Sequence, residues 1–295
     1  MNAAAAAMGT DSQPMQGKTV VITGATSGIG QIAAERLAQL GARIVFIARD
    51  RTRGEATLAR LRSLGPGCEP AVHYADLSLI AEMMRVAGAV AASEPRIDVL
   101  VNNAGAFFAR RQLTAEGLER TFATNHLSYF VITLLLLERL EGTAGARIVS
   151  TASAAHLRAK IDFADLQSAQ HYRGFAVYGS SKLMNILFTR ELARRLGGSG
   201  VTANCLHPGF VATRFGDNNG GATSLILKLA KRFGALTPEQ GARTLIYLAS
   251  SPGVAKDTGQ YFCRCQPATS SARAQNDADA RRLWEISAQL TGVGA

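Results

Sequence analysis

Along the chain, short runs of β-branched apolar residues take turns with longer segments in which apolar positions recur every three or four residues. The first run, 18–23 (K-T-V-V-I-T), breaks at Gly24-Ala25-Thr26-Ser27-Gly28-Ile29-Gly30, and a helical pattern then runs to Leu40 and stops at Gly41. The alternation repeats. Strands are predicted at Arg43 to Ala48, near 70–75, at Ile97 to Val101, Ala146 to Thr151, Val201 to Leu206 and near 259–264. Helices are predicted at 52–64 (closed by Gly65-Pro66-Gly67), from Ala115 to Leu140, through Tyr178, at 238–249 and at 277–290. Residues 156–176 read as an irregular polar insertion. Strands that alternate with helices predict an α/β fold: a single-domain, Rossmann-type, doubly wound parallel sheet with helices on both faces.

No solenoid-type repeat and no break in composition marks a second domain. Residues 1–16 have neither a basic start nor a long apolar centre, so they read as a flexible tail rather than a signal peptide, with one domain over 17–295. No stretch reaches the roughly 18 apolar residues that span a bilayer. At 47% hydrophobic and 18% charged, the 295 residues can bury a large core. The net charge of +10 comes from scattered arginines without an aromatic-interleaved cluster, which argues against nucleic acid and for a solvated surface. Cys68, Cys205, Cys263 and Cys265 show no C-x-x-C spacing, and Cys263 and Cys265 are expected to face one side of a strand. With no ligand spacing among the five histidines either, no metal site is expected, and a reducing cytoplasm fits.

The glycine turn carries the first chemistry. A strand, a G-x-x-x-G-x-G turn and a helix let backbone amides approach a pyrophosphate at a helix N-terminus. At the end of the second strand Arg49 suits a 2′-phosphate, whereas Asp50 suits ribose hydroxyls if the strand ends one residue later. NADP(H) is therefore preferred, with NAD(H) kept open. Asp76, just past the third strand, suits an adenine amino group or the N-cap of the next helix. Asn102-Asn103-Ala104-Gly105, Ser153 and His207-Pro208-Gly209 follow further strands. In an open parallel sheet those strand ends share one edge, where ligands bind. The cofactor half thus lies at about 17–150 and the catalytic and substrate half at about 151–295.

Tyr178 and Lys182 are four apart, one helical turn on one face. An ammonium about 4 Å from a phenol favours the phenolate by roughly 4 kcal/mol, which draws a tyrosine from its usual value towards the range of a general acid or base. A Y-x-x-x-K pair alone is common by chance. Asn125 inside an apolar helix also asks for a reason, because its side chain competes with the backbone.

Taken together, T-G-A-T-S-G-I-G, D-L-S, N-N-A-G, Asn125, Ser153, Y-G-S-S-K and H-P-G-F-V-A-T resemble the classical short-chain dehydrogenase/reductase family over roughly residues 16–290. The segments I-D-F-A-D-L-Q, R-G-F-A-V-Y-G-S-S-K-L-M-N-I-L-F-T-R-E-L and R-R-L-W-E-I-S resemble its retinol-dehydrogenase-like branch, which includes WW-domain oxidoreductases. The resemblance implies Tyr178 as proton donor or acceptor, Ser153 as partner of the substrate oxygen, and Lys182 on the nicotinamide ribose. It implies that Asn125 positions a water joining Lys182 to solvent. Gly24, Ser27, Gly28, Ile29, Gly30, Arg49, Asp76, Leu77, Asn103, Ala104, Gly105, Pro208, Gly209, Val211 and Thr213 would contact the cofactor. Two positions depart from the family: Ser150 stands where Asn is common and Ala152 where a second serine is common. Animal retinol dehydrogenases usually carry an N-terminal anchor, which residues 1–16 do not resemble, and this weakens retinol as the substrate.

The expected activity is NADP(H)-dependent carbonyl or alcohol oxidoreduction on a lipophilic small molecule. A non-catalytic NADP(H) sensor is the competing reading, disfavoured because Tyr178 and Lys182 are both present. A serine hydrolase built on Ser153 and His156 lacks a G-x-S-x-G elbow. The amphipathic segment 222–233 reads as a lid, a subunit contact or a membrane-surface helix, and pairing of family members through the Asn125 and Tyr178 helices implies a homodimer or homotetramer.

Overall fold

A computed structural model describes residues 13–64, 69–211 and 236–294. Thr213, Cys68, the Gly65-Pro66-Gly67 stop and the 222–233 segment lie outside the described residues.

The apolar runs form β1 (Thr19–Thr23), β2 (Arg43–Ala48), β3 (Ala71–Tyr74), β4 (Val99–Asn102), β5 (Arg147–Thr151), β6 (Thr202–His207) and β7 (Tyr261–Cys263), in the order β3-β2-β1-β4-β5-β6-β7. All of these pairings are parallel; the short β8 (Gln266–Pro267) adds an antiparallel edge to β7. Arg264 and Cys265 turn that hairpin with φ of 52° and 60°, so Cys265 sits in a tight turn and does not continue the strand beside Cys263. The expectation of two cysteines on one strand face fails because the strand ends at Cys263.

Successive strand residues point to opposite faces and feed two cores, as a sheet covered on both sides requires. Val20, Ile22, Ile44, Phe46 and Val101 pack with α1 (Gly28–Gln39), α2 (Arg51–Arg62) and α8 (Pro238–Ser250). Val21, Val45, Leu100 and Ile148 pack with α3 (Ile80–Ser93), the helices between β4 and β5, and α7 (Gly174–Arg195). Met15 is buried in the first of these cores, and its N–H donates to the Leu40 carbonyl at 3.0 Å. Ordered packing therefore starts before residue 17, inside the stretch expected to be tail.

The helix expected from Ala115 starts later and in pieces: α4 (Arg120–Phe122), a π-helical turn (Ala123–Leu127), α5 (Ser128–Leu135) and α6 (Leu137–Glu141). Residues 113–119 instead form a turn closed by a Leu113–Glu119 bridge, with Gly117 at φ 76°. The buried Glu119 carboxylate then caps α4, accepting from the Thr121 and Phe122 N–H groups at 2.8 and 2.7 Å.

The C-terminal helix α9 (Asp277–Thr291) lies along α7 and meets α5 at Phe130. Trp284 meets Phe130 edge-on at 5.0 Å and stacks on Phe188 at 5.9 Å, while Arg195 covers its ring at 4.3 Å. His126 reaches Ser287 at 2.9 Å from the π turn. The outer face of the helices that carry Asn125 and Tyr178 is thus occupied by the chain's own last helix. Among the described residues no helix is long and apolar enough to cross a membrane.

Candidate active site

The strand order reverses between β1 and β4, and the carboxyl ends of the strands open there into a cleft of about 810 Å³. Its cofactor end is built by the β1–α1 turn. Gly24 holds φ 73° with Ala104 close against it, and a Cβ on Gly30 would lie 2.3 Å from the Gly24 carbonyl oxygen and 2.4 Å from Asn103 Nδ2. Ser27, the residue before α1, makes no side-chain cap, so the first amides of that helix face the cleft without a local acceptor. Gly24, Ser27, Gly28 and Ile29 line the cleft; Gly30 lies behind them and lets the turn close. This bare helix end and its glycine cradle fit a dinucleotide pyrophosphate.

At the far wall Arg49 lines the cleft together with Arg53, which sequence reasoning missed. Asp50 is the N-cap of α2, accepting from the Arg53 N–H at 2.8 Å, and this bond holds its pKa below the usual carboxylate range. One oxygen of its carboxylate is therefore engaged at the helix start, while Asp50 also lines the cleft beside Arg49. Asp76 and Leu77 also line the wall. Asp76 is not the helix cap: its Oδ1 accepts from the Ser78 N–H, and α3 starts four residues on. Glu116 takes that role from a distance, accepting from the Ile80 and Ala81 N–H groups.

Asn103, Ala104 and Gly105 line the floor. The Asn103 side chain is spent internally, donating to the Thr23 and Gly24 carbonyls at 3.2 Å each, while the Asn103 and Ala104 N–H groups donate to Thr23 Oγ1. Asn103 is thus a strut for the glycine turn. Pro208, Gly209 and Val211 line the opposite side.

At the chemical end Ser153, Tyr178 and Lys182 face one another across the cleft. The Ser153 hydroxyl accepts from the Ala155 N–H at 3.2 Å and lies near enough to the Tyr178 phenol to favour its ionised form. Lys182 Nζ lies 5.8 Å from the Tyr178 ring centre and 5.5 Å from that of Tyr129. It donates to the Thr151 carbonyl at 3.0 Å; the same oxygen also receives Asn185 Nδ2 at 3.4 Å and the Tyr129 hydroxyl at 3.5 Å. Asn125 sits in the π turn, outside the cleft lining. Its amide bridges Ala106 N–H (2.8 Å) and Ala106 C=O (2.9 Å) and donates to Ser181 Oγ. Gly105 separates it from Lys182 Nζ, and a Cβ there would lie 3.5 Å from Asn125 Oδ1 and 3.4 Å from Nζ.

The electrostatics differ from the sequence expectation. Burial pushes Tyr178 up to about 12, opposed by the nearby Ser153 hydroxyl, and burial pulls Lys182 down to about 7. The expected lowering of the phenol by its neighbour is absent here. Both groups are desolvated, and the lysine directs its nitrogen at a carbonyl, not at the phenol oxygen.

Sequence reasoning also missed the aromatic walls. Phe108, Phe175 and Phe210 line the cleft, and Phe107 meets Tyr178 edge-on at 6.3 Å. Phe175 and Phe210 are 61% and 51% exposed, which places large apolar side chains at the rim. The 156–176 insertion lines the cleft through Phe175 and otherwise lies mostly outside it. Its Ile161, Phe163 and Leu166 pack on the core, and it reaches the cleft wall through Tyr172, whose hydroxyl donates to the Phe108 carbonyl at 2.9 Å.

Comparison with known proteins agrees with this architecture. The family model for short chain dehydrogenases matches residues 18–222. Retinol dehydrogenase 12 of Mus musculus is 40% identical over 96% of this chain and 89% of its own length. Retinol dehydrogenase 14 of Homo sapiens is 40% identical over 97% of this chain and 89% of its own. A crystal structure of an uncharacterized Mycobacterium paratuberculosis protein superposes with a TM-score of 0.76 at 34% identity, covering 94% of each chain. A Burkholderia cenocepacia short chain dehydrogenase solved in complex with NADP gives 0.68 at 28% identity, over 84% of this chain and 96% of that one. With its glycine cradle, strand-end cleft and Ser153–Tyr178–Lys182 group in place, the chain belongs to the short-chain dehydrogenase family, in its retinol-dehydrogenase-like branch.

Proposed function

We propose that the protein is an NADP(H)-dependent oxidoreductase in which hydride passes between the bound nicotinamide and a carbonyl or alcohol carbon of a lipophilic small molecule. The observation that carries this reading is the meeting of Ser153, Tyr178 and Lys182 in one cleft that the glycine turn and Arg49 also line. Gly24, Ser27, Gly28 and Ile29 would hold the pyrophosphate, with Gly30 behind them. Arg49 and Arg53 would hold a 2′-phosphate, a role favoured by the engagement of one Asp50 oxygen at the start of α2. Asp76 and Leu77 would flank the adenine; Ala104, Gly105, Pro208, Gly209, Val211 and Thr213 would flank the nicotinamide side.

In this reading the Ser153 hydroxyl and the Tyr178 phenol share the substrate oxygen. A phenol kept protonated by burial can donate its proton to a carbonyl oxygen at neutral pH. Lys182 would hold the nicotinamide ribose, with Asn125 behind it. The exposed Phe175 and Phe210 at the rim favour lipophilic molecules. Its three free cysteines among the described residues fit a cytoplasmic setting.

The test is NADPH oxidation with a panel of lipophilic aldehydes and ketones. Tyr178→Phe is expected to lose turnover while still binding NADPH; undiminished turnover would remove Tyr178 from the chemistry. A non-catalytic cofactor sensor would bind NADPH and turn over no member of the panel.

A further inference from the structure

Two histidines that the proposed chemistry leaves unused bracket the backbone of Ser153. His156 Nε2 lies 3.2 Å from the Ser271 N–H and accepts from it. Its ring proton is therefore on Nδ1, which donates to the Ser153 carbonyl at 2.6 Å. His207 Nδ1 lies 3.2 Å from the Ala154 N–H and 3.4 Å from the Gly209 N–H, so it presents a lone pair to both and carries its proton on Nε2. Burial holds both rings neutral, His207 down to about 4, which keeps these acceptor nitrogens free of protons at neutral pH. His156 is fully buried and also meets the Tyr261 ring edge-on at 5.1 Å, so its orientation is set from two sides. His207 ends β6 and lines the cleft.

The turn from Ser153 to Ala155 has few other restraints. Its two further hydrogen bonds are both local: the Ala155 N–H donates back to the Ser153 hydroxyl at 3.2 Å, and the His156 N–H donates to the Ser153 carbonyl at 3.1 Å. The Ala152 N–H anchors the chain just before the turn to the Leu206 carbonyl of β6 at 2.8 Å. Within the turn itself, the side chains that reach it from β6 and tie it to the C-terminal segment are the histidine pair, one gripping a carbonyl and the other receiving an N–H. We propose that His156 and His207 are positioning residues that clamp the Ser153–Ala155 turn and so hold the Ser153 hydroxyl against the Tyr178 phenol. The clamp rests on the oxidoreductase reading for its effect on turnover, but not for its tautomers.

The experiment is a cycle of variants read by steady-state kinetics. Asparagine places an acceptor oxygen where imidazole Nδ1 stands, whereas leucine does not. His207→Leu is expected to lower kcat about tenfold or more, as a misplaced group does, and His207→Asn to restore most of it. In a Ser153→Ala background His207→Leu is expected to cost nothing further, because its effect passes through Ser153. Equal losses in both backgrounds, or an asparagine variant as poor as the leucine one, would overturn the clamp. A second measurement uses the wild-type protein with ¹⁵N-labelled histidine. Long-range ¹H–¹⁵N spectra at neutral pH are expected to show His156 protonated at Nδ1 and His207 at Nε2, and the opposite tautomer at either ring would overturn the proposal. If the wild type turns over no carbonyl with either cofactor, the oxidoreductase reading falls, and the tautomer spectra alone decide the clamp.

Discussion

At the scale of single residues, the spacing of Tyr178 and Lys182 makes their shared helix face legible, but the sign of their electrostatics depends on burial that no spacing encodes. Lys182 is only 3% exposed and has no carboxylate among its described partners. Its pKa of about 7 lies below its ordinary 10.5. Between those values the unfolded chain binds the proton that the folded chain gives up, so stability rises with pH across that window. The full cost of the buried ammonium is present below about 7 and has vanished above 10.5. Lys182→Met is therefore expected to raise Tm at neutral pH, with a gain that shrinks towards alkaline pH; thermal melts at several pH values read this directly. A gain independent of pH would assign the effect to packing. Arg49 is tested on affinity. Arg49→Ala is expected to weaken NADPH much more than NADH in fluorescence titrations, and equal losses would return the preference to Asp50.

Among the elements, legibility followed length and flanking chemistry. The run of Val20 to Thr23 into a glycine turn admits one reading, and α8 starts where Thr237, Pro238 and Gln240 form a capping box. The helix expected from Ala115 failed because its first turn looks helical by pattern while one tertiary tie and two local features pull it elsewhere. Glu116 leaves to cap α3, Gly117 takes a left-handed conformation, and Glu119 starts the helix after itself. Of these, the Glu116 bond to the start of α3 joins residues 36 apart and cannot be read from the local pattern. The insertion after Ser153 likewise takes its place from partners distant in sequence. Its Gln167 side chain receives the Glu119 N–H at 2.9 Å and its Tyr172 holds the Phe108 carbonyl, so it braces the cleft wall from behind. Sequence alone shows that such a segment is extra, not which side of the wall it stands on. Phe175 and Phe210 escaped notice because aromatic residues beside a strand end or helix start read as core until their exposure is known.

Over the whole molecule, the order of strands and the shared edge of their carboxyl ends were readable, because every candidate turn followed an apolar run. The partner of the α5 and α7 face was not. A family habit of pairing through those helices suggested a second subunit, whereas α9 fills the face with Trp284 and Ser287. A pair built there would require α9 to leave and expose buried aromatic surface. The full chain is therefore expected to sediment as a single species of 31.2 kDa. A stable dimer whose hydrogen-exchange protection maps to α5 and α7 would count against this.

The oxygen of Thr151 attracts three donors, from Lys182, Asn185 and Tyr129, although a carbonyl offers two lone pairs. The arrangement is over-subscribed, and that surplus has a use. Were Lys182 to turn toward the hydroxyls of a bound ribose, as proposed above, two other donors would already stand within reach of the oxygen it leaves. No buried acceptor would be orphaned by the departure, so the gesture would be nearly free.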